Sequence, residues 1–368
     1  KPCCAIIDAL FGTGLEREIS DHFGDTIDLI NDPNFSRNIP VVSVDTPSGL
    51  DSNSGEILGK CVRANLTATF GCAKPGQIMQ NSKSLTGKLK IIDIGIPPEV
   101  IAKANIETSM ITADSTSLWI EGLKRRNDSH KGTYGHLLIL AGSAGKTGAA
   151  ILAAKGALRS GCGLVSLCVP YDLNTVYETC LPEAMTVPLP TSSSLLNVSD
   201  LSTILNHAED KTAVVLGPGL GNDARTAELV LYLYHKLKQP MIVDADALNI
   251  LARHKNQLKS PGGTRILTPH PGEMSRLIDI SVDEILANRL NAAKTCYDKY
   301  KHDGKELIVV LKGAGTLVIT DRKEVMINTS GNPGMATGGM GDVLTGVIGA
   351  LICQGMTPET ASGSGVYL

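Results

Sequence analysis

Short runs of β-branched and aliphatic residues, each closing on Gly, Asp or Pro, alternate with stretches of helical period along nearly the whole chain. That alternation predicts parallel α/β sheets, because a parallel strand needs a long crossover, usually helical, before the next one. The pattern predicts strands over 4–8, 41–44, 66–70 and 89–94, with a helix over 20–30. The segment 97–114 shows no sheet-like alternation and reads as a link between domains. Beyond it, strands are expected over 137–140, 164–169, 214–216, 241–243 and 265–267. A helix over 148–160 is closed by Gly161 and Gly163, and Leu229, Leu233 and Leu237 mark one face of another. Three runs at 308–311, 316–320 and 324–327, separated by short turns, predict an antiparallel meander. Val343, Leu344, Val347, Ile348, Leu351 and Ile352 define the last clear helix.

At 368 residues the chain suggests two domains. With 34 basic against 37 acidic residues it carries a formal charge of −3, which gives no electrostatic reason to expect nucleic acid or an anionic membrane as partner. Aromatics make up only 4 %, which argues against base-stacking platforms. No apolar stretch reaches the ~18 residues that a bilayer-spanning helix requires. The nine cysteines include one close pair, Cys3-Cys4, and no C-x-x-C spacing. They read as reduced, buried thiols of a cytoplasmic protein, without a zinc site or a disulfide framework. The chain opens on Lys1-Pro2-Cys3-Cys4 and closes on Tyr367-Leu368, so both natural ends are expected to lie beyond it.

The strongest chemical signal is the segment from Gly331 to Asp342, which runs straight into the last helix. Glycines at 338, 339 and 341 let several backbone N–H groups point one way, and the helix start adds unpaired donors with partial positive charge. Together they make an anion hole of phosphoryl size. Asp342 at the same helix start suits a base that takes the proton of an attacking hydroxyl. Its plainer reading is an N-cap, which does not call for three preceding glycines.

Other loops follow apolar strands and should open at one sheet edge, where α/β proteins bind ligands. They are 217–221 (Gly-Pro-Gly-Leu-Gly), 244–246 (Asp-Ala-Asp) and 268–273 (Thr-Pro-His-Pro-Gly-Glu). Each alone reads equally well as a turn. His270 between two prolines is held on a stiff loop, and Glu273 suits a residue that orients a magnesium-bound water. Lys312-Gly313-Ala314-Gly315-Thr316 brings backbone and a lysine to where a nucleotide could bind, although by itself it is most simply a hairpin turn. The run 142–147 (Gly-Ser-Ala-Gly-Lys-Thr) has two residues between its glycines where a phosphate-binding P-loop has four. Gly12-Thr13-Gly14 has Arg17 where a dinucleotide fingerprint has its third glycine. Neither run carries the usual inference, but Gly148-Ala149-Ala150 still offers a close-approach surface. In the first part, Asp8 and Asp45 each end a strand, and if those strands are neighbours both carboxylates reach one edge. Ser48 and nearby carbonyls would then complete an oxygen-only site for a monovalent cation, with Asp45 moving a proton. Two loop-capping aspartates explain the spacing equally well.

Taken in order, the segments 8–14, 44–49, 217–221, 268–273, 312–316 and 339–342 resemble the bifunctional NAD(P)H-hydrate repair enzymes over essentially the whole chain. The resemblance implies a partial Rossmann-like epimerase domain over 1–110, followed by a ribokinase-like α/β domain over 111–368. It implies R/S epimerisation of NADHX and NADPHX, and ADP-dependent dehydration of the S form with release of AMP and phosphate. Asp342 would be the base. His270, Ala149, Gly219 and Gly221 would meet the hydrate, while Lys312, Gly313, Ala314, Gly315, Thr316 and Gly341 would meet the nucleotide. Asp8 and Ser48 match positions that hold K+. Gly12, Thr13, Gly14, Leu15, Glu16, Arg17, Glu18 and Asp45 match positions that bind the epimer. Mg2+ as cofactor and assembly as a homo-oligomer are further expectations.

The family's early Asn-Asn-Gly-Gly-Asp-Gly type loop has no counterpart here, so the chain is expected to be truncated at its start and to lack epimerase activity. A ribokinase-like kinase of a vitamin or sugar alcohol, and a non-catalytic nucleotide-binding module, are the competing readings. The fused first domain and His270, where such kinases tend to carry Asn, favour the repair enzyme. A stereochemical assay checks the epimerase expectation: the chain should leave (R)-NADHX largely unconverted, and rapid R-to-S exchange would refute it.

Overall fold

The computed structural model describes residues 4–36, 39–79, 82–302 and 304–368. Cys3 of the adjacent pair, with the chain start at Lys1 and Pro2, lies outside the described residues. Fourteen strands are described. They are β1 Ile6–Asp8, β2 Val41–Val44, β3 Leu66–Phe70, β4 Lys88–Ile92, β5 Thr108–Ile111, β6 His136–Leu140 and β7 Leu164–Pro170. After them come β8 Met185–Leu189, β9 Ala213–Leu216, β10 Met241–Val243, β11 Arg265–Leu267, β12 Leu307–Leu311, β13 Leu317–Ile319 and β14 Val325–Asn328. The chain divides into two compact units, one up to Ser109 with Leu286–Leu290, the other comprising Met110–Ile285 and Asn291–Leu368.

The first unit carries a four-stranded parallel sheet in the order β1-β2-β3-β4. Helix Asp21–Asn31 buries Ile27 in a small core with Ile19, Val41 and Val62. Ile7 in edge strand β1 is 61 % exposed.

The second unit is built on a ten-stranded sheet in the order β5-β14-β13-β12-β11-β10-β9-β6-β7-β8. Strands β12, β11, β10, β9, β6, β7 and β8 run parallel, while β12-β13-β14 form the expected antiparallel meander. Every residue of β9, β10, β11 and β12 is buried, as fits parallel strands covered by helices on both faces. Arg265 in β11 is buried too. Its guanidinium donates to the carbonyls of Tyr234, Leu237, Gln239 and Thr264, which offsets the cost of placing a polar group there.

Several elements depart from the sequence reading. The segment 97–114 is structured: it holds helix Pro98–Lys103 and strand β5, whose four residues are too few to show an alternation. Strand β8 was hidden by Pro188, which is tolerated because β8 is an edge strand. A further helix, Pro358–Tyr367, follows the last expected one, started by Thr357, whose hydroxyl accepts from Thr360 N–H at 3.2 Å. Its small residues Gly363 and Gly365 let it lie against Trp119 and Ile348. The thiols are not uniformly buried: Cys4, Cys72 and Cys180 are exposed. Among the described residues no helix is long and apolar enough to cross a membrane.

Two helices lock backbone to backbone beneath the sheet edge. A Cβ on Gly346 of helix Met340–Cys353 would lie 1.9 Å from the carbonyl of Ala153 in helix Thr147–Arg159, and one on Gly156 would lie 2.6 Å from the carbonyl of Val343. Gly346→Ala is therefore expected to lower the unfolding free energy by about 1–3 kcal/mol through overpacking. Gly338→Ala, where nothing lies within 4 Å, should change it by less than ~0.5 kcal/mol. Chemical denaturation of the two variants checks the contrast.

Candidate active site

Because β12, β11, β10, β9 and β6 are adjacent and parallel, the loops that leave their C-terminal ends emerge side by side. These loops are 312–316, 268–271, 244, 217–223 and 141–146. The structure thus gathers at one edge motifs that the sequence scatters between positions 141 and 316.

At the centre, Lys312 Nζ donates to Asp244 Oδ1 at 2.5 Å, in an ion pair whose side chains are 18 % and 2 % exposed. The pair reaches from the end of β12 to the end of β10. Thr268, at the end of the intervening β11, donates its hydroxyl to the same Asp244 oxygen at 2.8 Å. Glu273 Oε2 lies 3.8 Å from Lys312 Nζ. Burial pushes the Glu273 carboxyl up to about 7, with Asp244 adding to the rise and Lys312 opposing it. The residue after Asp244, Ala245, has φ +51°, a left-handed conformation that an L-residue adopts only when its surroundings hold it there.

The glycine segment meets this centre. Gly339, at φ +93°, starts helix Met340–Cys353, and a Cβ on Gly341 would lie 3.1 Å from Lys312 Nζ and 3.4 Å from Asp244 Oδ2. The first-turn N–H groups of Met340, Gly341 and Asp342 meet no acceptor among the described residues. Asp342 is not a cap: Gly339 holds that position, and the Asp342 carboxylate accepts no hydrogen bond from the described residues. Burial pushes its carboxyl up to about 6, with Asp244 and Asp246 adding to the rise and Lys312 opposing it. A half-buried, unpartnered carboxylate with a raised pKa is what a general base at near-neutral pH requires.

On the far side of Asp244, Gly219 (φ +65°) lies so close to the start of helix Thr147–Arg159 that a Cβ would meet the Ala149 methyl at 2.9 Å. Gly221 N–H donates to Asp246 Oδ2 at 2.8 Å, and Lys146 Nζ pairs with the same oxygen at 3.0 Å. Ala149, Gly219 and Gly221 thus form one wall. His270 begins helix Pro271–Ile278: its Nδ1 accepts from Gly272 N–H at 3.0 Å and Glu273 N–H at 3.4 Å, while Glu273 accepts from His270 N–H at 2.9 Å. Since Nδ1 is an acceptor, the ring proton sits on Nε2, 3.4 Å from Glu273 Oε1. Burial, then Lys312 and Arg276, hold the imidazole below its usual range and so neutral at physiological pH. Its side chain is 52 % exposed, open to a ligand.

In Lys312–Thr316, Gly313 (φ +139°) and Gly315 (φ +66°) make the tight turn between β12 and β13, and Thr316 donates its hydroxyl to the Gly313 carbonyl at 2.8 Å. The turn is an ordinary hairpin that also carries Lys312 to the site.

In the first unit β1 and β2 are neighbours, as the paired carboxylates require. Asp8 is buried and accepts from Ser48 Oγ at 2.6 Å, Ser48 N–H at 2.9 Å and Ser43 Oγ at 2.7 Å. The Phe11 carbonyl lies 3.2 Å from Ser48 Oγ, so the donors gathered here are all oxygen, the chemistry a hard monovalent cation takes. Asp45, at φ +65°, faces β3 instead, accepting from Lys74, Thr69 Oγ1 and Phe70 N–H. Burial pushes its carboxyl up, but those three donors outweigh it and hold it below the usual range. Gly12–Glu18 forms the loop beyond Asp8, with all but Leu15 exposed.

Sequence reasoning placed the 244–246 loop at this edge but not its pairing of Asp246 with Lys146, 100 residues away across the site. Lys146 was visible in the rejected P-loop look-alike, whose strand-loop-helix setting was the usable signal. Among the described residues no three His, Cys, Asp or Glu side chains form a metal cage. Mg2+ does not demand one, because it is held by one or two carboxylates together with substrate phosphates. The buried Glu273 carboxylate suits that arrangement.

A family model described as NAD(P)H-hydrate dehydratase matches residues 137–368, and one described as YjeF-related protein N-terminus matches residues 1–76. A bifunctional NAD(P)H-hydrate repair enzyme of Moorella thermoacetica is 39 % identical over 366 residues, covering 99 % of this chain and 67 % of the relative. That of Escherichia coli is 37 % identical over 360 residues, covering 98 % and 65 %. Among solved structures, the ADP/ATP-dependent NAD(P)H-hydrate dehydratase of Bacillus subtilis, crystallised with ATP and Mg2+, is 32 % identical with a TM-score of 0.55. That match covers 66 % of this chain and 81 % of the other. A ribokinase-like superfamily protein of Enterococcus faecalis is 26 % identical with a TM-score of 0.58, covering 71 % and 85 %.

The raised Asp342 carboxyl has a consequence for stability. Its folded pKa lies above its unfolded value, so ionising it disfavours the fold; the cost is absent in acid and grows as pH rises toward and through about 6. Asp342→Asn should therefore be more stable than the parent by about 1–3 kcal/mol near pH 8, after allowance for solvent screening, with the gap closing near pH ~4. Denaturant titrations at the two pH values check it.

Proposed function

We propose, for a chain that belongs to the bifunctional NAD(P)H-hydrate repair enzymes, that residues 111–368 dehydrate (S)-NADHX and (S)-NADPHX to NADH and NADPH, with ADP as phosphoryl donor. The observation that carries the reading is Asp342, an unpartnered carboxylate raised to about 6 beside free N–H groups of a helix start and the Lys312 ammonium. The hydrate lies against Ala149, Gly219, Gly221 and His270, with its ring hydroxyl toward Asp342. ADP lies along Lys312, Gly313, Ala314, Gly315, Thr316 and Gly341, with its phosphates at the first-turn N–H groups.

As the hydroxyl oxygen attacks the β-phosphorus of ADP, Asp342 takes its proton, the bond to the bridging oxygen breaks and AMP leaves. The hydroxyl, a poor leaving group, has become a phosphate ester. The ring carbon–oxygen bond then breaks, phosphate departs, a proton is lost from the neighbouring ring carbon and the double bond of the reduced nicotinamide is restored. The N–H groups of Met340 and Gly341 face the charge that builds on the transferring group. His270, neutral and carrying its proton on Nε2, donates to a polar group of the hydrate without adding charge. Mg2+, held through Glu273 and the nucleotide phosphates, would neutralise phosphate charge.

In residues 1–110, Asp8 and Ser48 would hold K+ and Gly12–Glu18 with Asp45 would meet the epimer, although without an Asn-Asn-Gly-Gly-Asp-Gly type loop this chain should leave the R and S forms largely unexchanged. Asp45, kept ionised by Lys74, Thr69 and Phe70, is positioned to accept a proton. The near-balanced charge of the chain and its free cysteines support a cytoplasmic protein working on small nucleotides; assembly as a homo-oligomer is part of the same proposal.

Incubation with ADP and (S)-NADHX should restore the absorbance of reduced nicotinamide, with one phosphate released per turnover. Asp342→Asn should lower kcat by about 100-fold or more while nucleotide binding persists. In the parent, kcat should fall as pH drops through about 6, where the base becomes protonated. A parent that binds nucleotide but shows no turnover would favour the binding module instead. Phosphorylation of a vitamin or sugar alcohol in place of hydrate repair would favour the kinase.

A further inference from the structure

A cleft of about 470 Å³ lies beside the site and takes no part in the chemistry described above. It is lined by Asn222, Asn249, Ala252, Arg253, Arg276 and Asp279. Two neighbouring helices, Ala245–Arg253 and Pro271–Ile278, supply most of its wall. Both helices start at the active-site edge, one after Asp244 and the other at His270.

The charges in the cleft are unbalanced. Asp279 is engaged by Lys255 and by Lys299, the latter at 3.3 Å. Arg276 Nη1 donates to the neutral Asn249 Oδ1 at 2.8 Å, and neither Arg276 nor Arg253 has a carboxylate partner among the described residues. The cleft therefore holds two guanidinium groups without a carboxylate partner among the described residues, its one carboxylate, Asp279, being taken by Lys255 and Lys299. The planar fork of Arg matches phosphate oxygens in pairs.

One lining residue also touches the site. Asn222 Nδ2 lies 3.4 Å from Asp246 Oδ1, the carboxylate that takes Gly221 N–H and Lys146. Arg276 is six residues along the helix that His270 begins, a rise of about 9 Å. Its charge is among those that hold His270 neutral. A dinucleotide whose hydrated ring lies at His270 has its phosphates displaced from that ring by a ribose.

We propose that this cleft is a phosphate subsite for the part of the dinucleotide substrate remote from the reacting ring, with Arg276, fixed by Asn249, and Arg253 as the gripping residues. The assignment rests on the hydrate-dehydratase reading above. The anion is either the pyrophosphate common to both hydrates or the 2′-phosphate of NADPHX alone.

Steady-state kinetics of Arg253→Gln, Arg276→Gln and the double variant with each hydrate test it. The double variant should raise the hydrate KM roughly tenfold to a hundredfold, with kcat and the KM for ADP nearly unchanged. A rise for (S)-NADPHX only assigns the 2′-phosphate, and an equal rise for both hydrates assigns the pyrophosphate. Arg253→Gln removes no hydrogen bond of the fold, so its KM effect stands clear of any instability in the Arg276 variant. Unchanged hydrate KM values in a double variant of active protein overturn the subsite alone, as does a rise in the KM for ADP instead. A parent that turns over neither hydrate overturns the reading beneath it.

Discussion

The ion pair between Lys312 and Asp244 is the interaction on which the site depends. It spans the ends of three neighbouring strands, with Thr268 of the middle one closing the bridge. A pair this buried is expensive to desolvate and contributes little net stability by itself. It places a fixed positive charge against Gly341, where a side chain would collide with the ammonium. Burial raises the Glu273 and Asp342 carboxyls; at Asp342 the Asp244 charge adds to the rise more than Lys312 opposes it, whereas at Glu273 Lys312 outweighs Asp244. The pair thus sets a fixed cation at the helix start, beside a carboxyl that burial, with Asp244, raises to about 6.

The rest of the second unit holds that arrangement rigid. Strands β9 to β12 are buried throughout, so their ends have little freedom to shift. The helix that begins just before Asp342 is pressed against the helix that carries Ala149, at a distance only glycines allow. The wall formed by Ala149 and the helix that carries Asp342 are therefore joined through backbone contact. The cost appears as local strain at Ala245 and as a raised carboxyl at Asp342, both on the working edge.

Most of this was legible in the sequence, because apolar runs that end in Gly or Asp mark parallel strands and the loops after them mark the binding edge. The strands of the second unit's parallel core agree with their expected limits to within a residue, His270 and Lys312 follow from such a placement, and Asp342 follows from the glycine segment before the last helix. What the sequence hid has a physical cause in each case. Strand β5 has four residues and β8 contains Pro188, so neither shows a clean alternation, and both lie at sheet edges where pairing, not pattern, defines them. Helix Pro358–Tyr367 is rich in Gly and Ser and shows no apolar stripe, although its Thr-Pro start was readable. The Lys146–Asp246 pair joins positions 100 residues apart, which only the folded sheet brings together. His270 proved to be a helix cap as well as an exposed ring, a double role that the flanking prolines did not disclose.

The central claim is that the hydroxyl oxygen of the hydrate itself receives the phosphoryl group. A hydrate carrying a heavy oxygen isotope in that hydroxyl tests it directly. With ADP and the active protein, the account requires the label to appear in the released inorganic phosphate. Label found in water, with unlabelled phosphate, would contradict it.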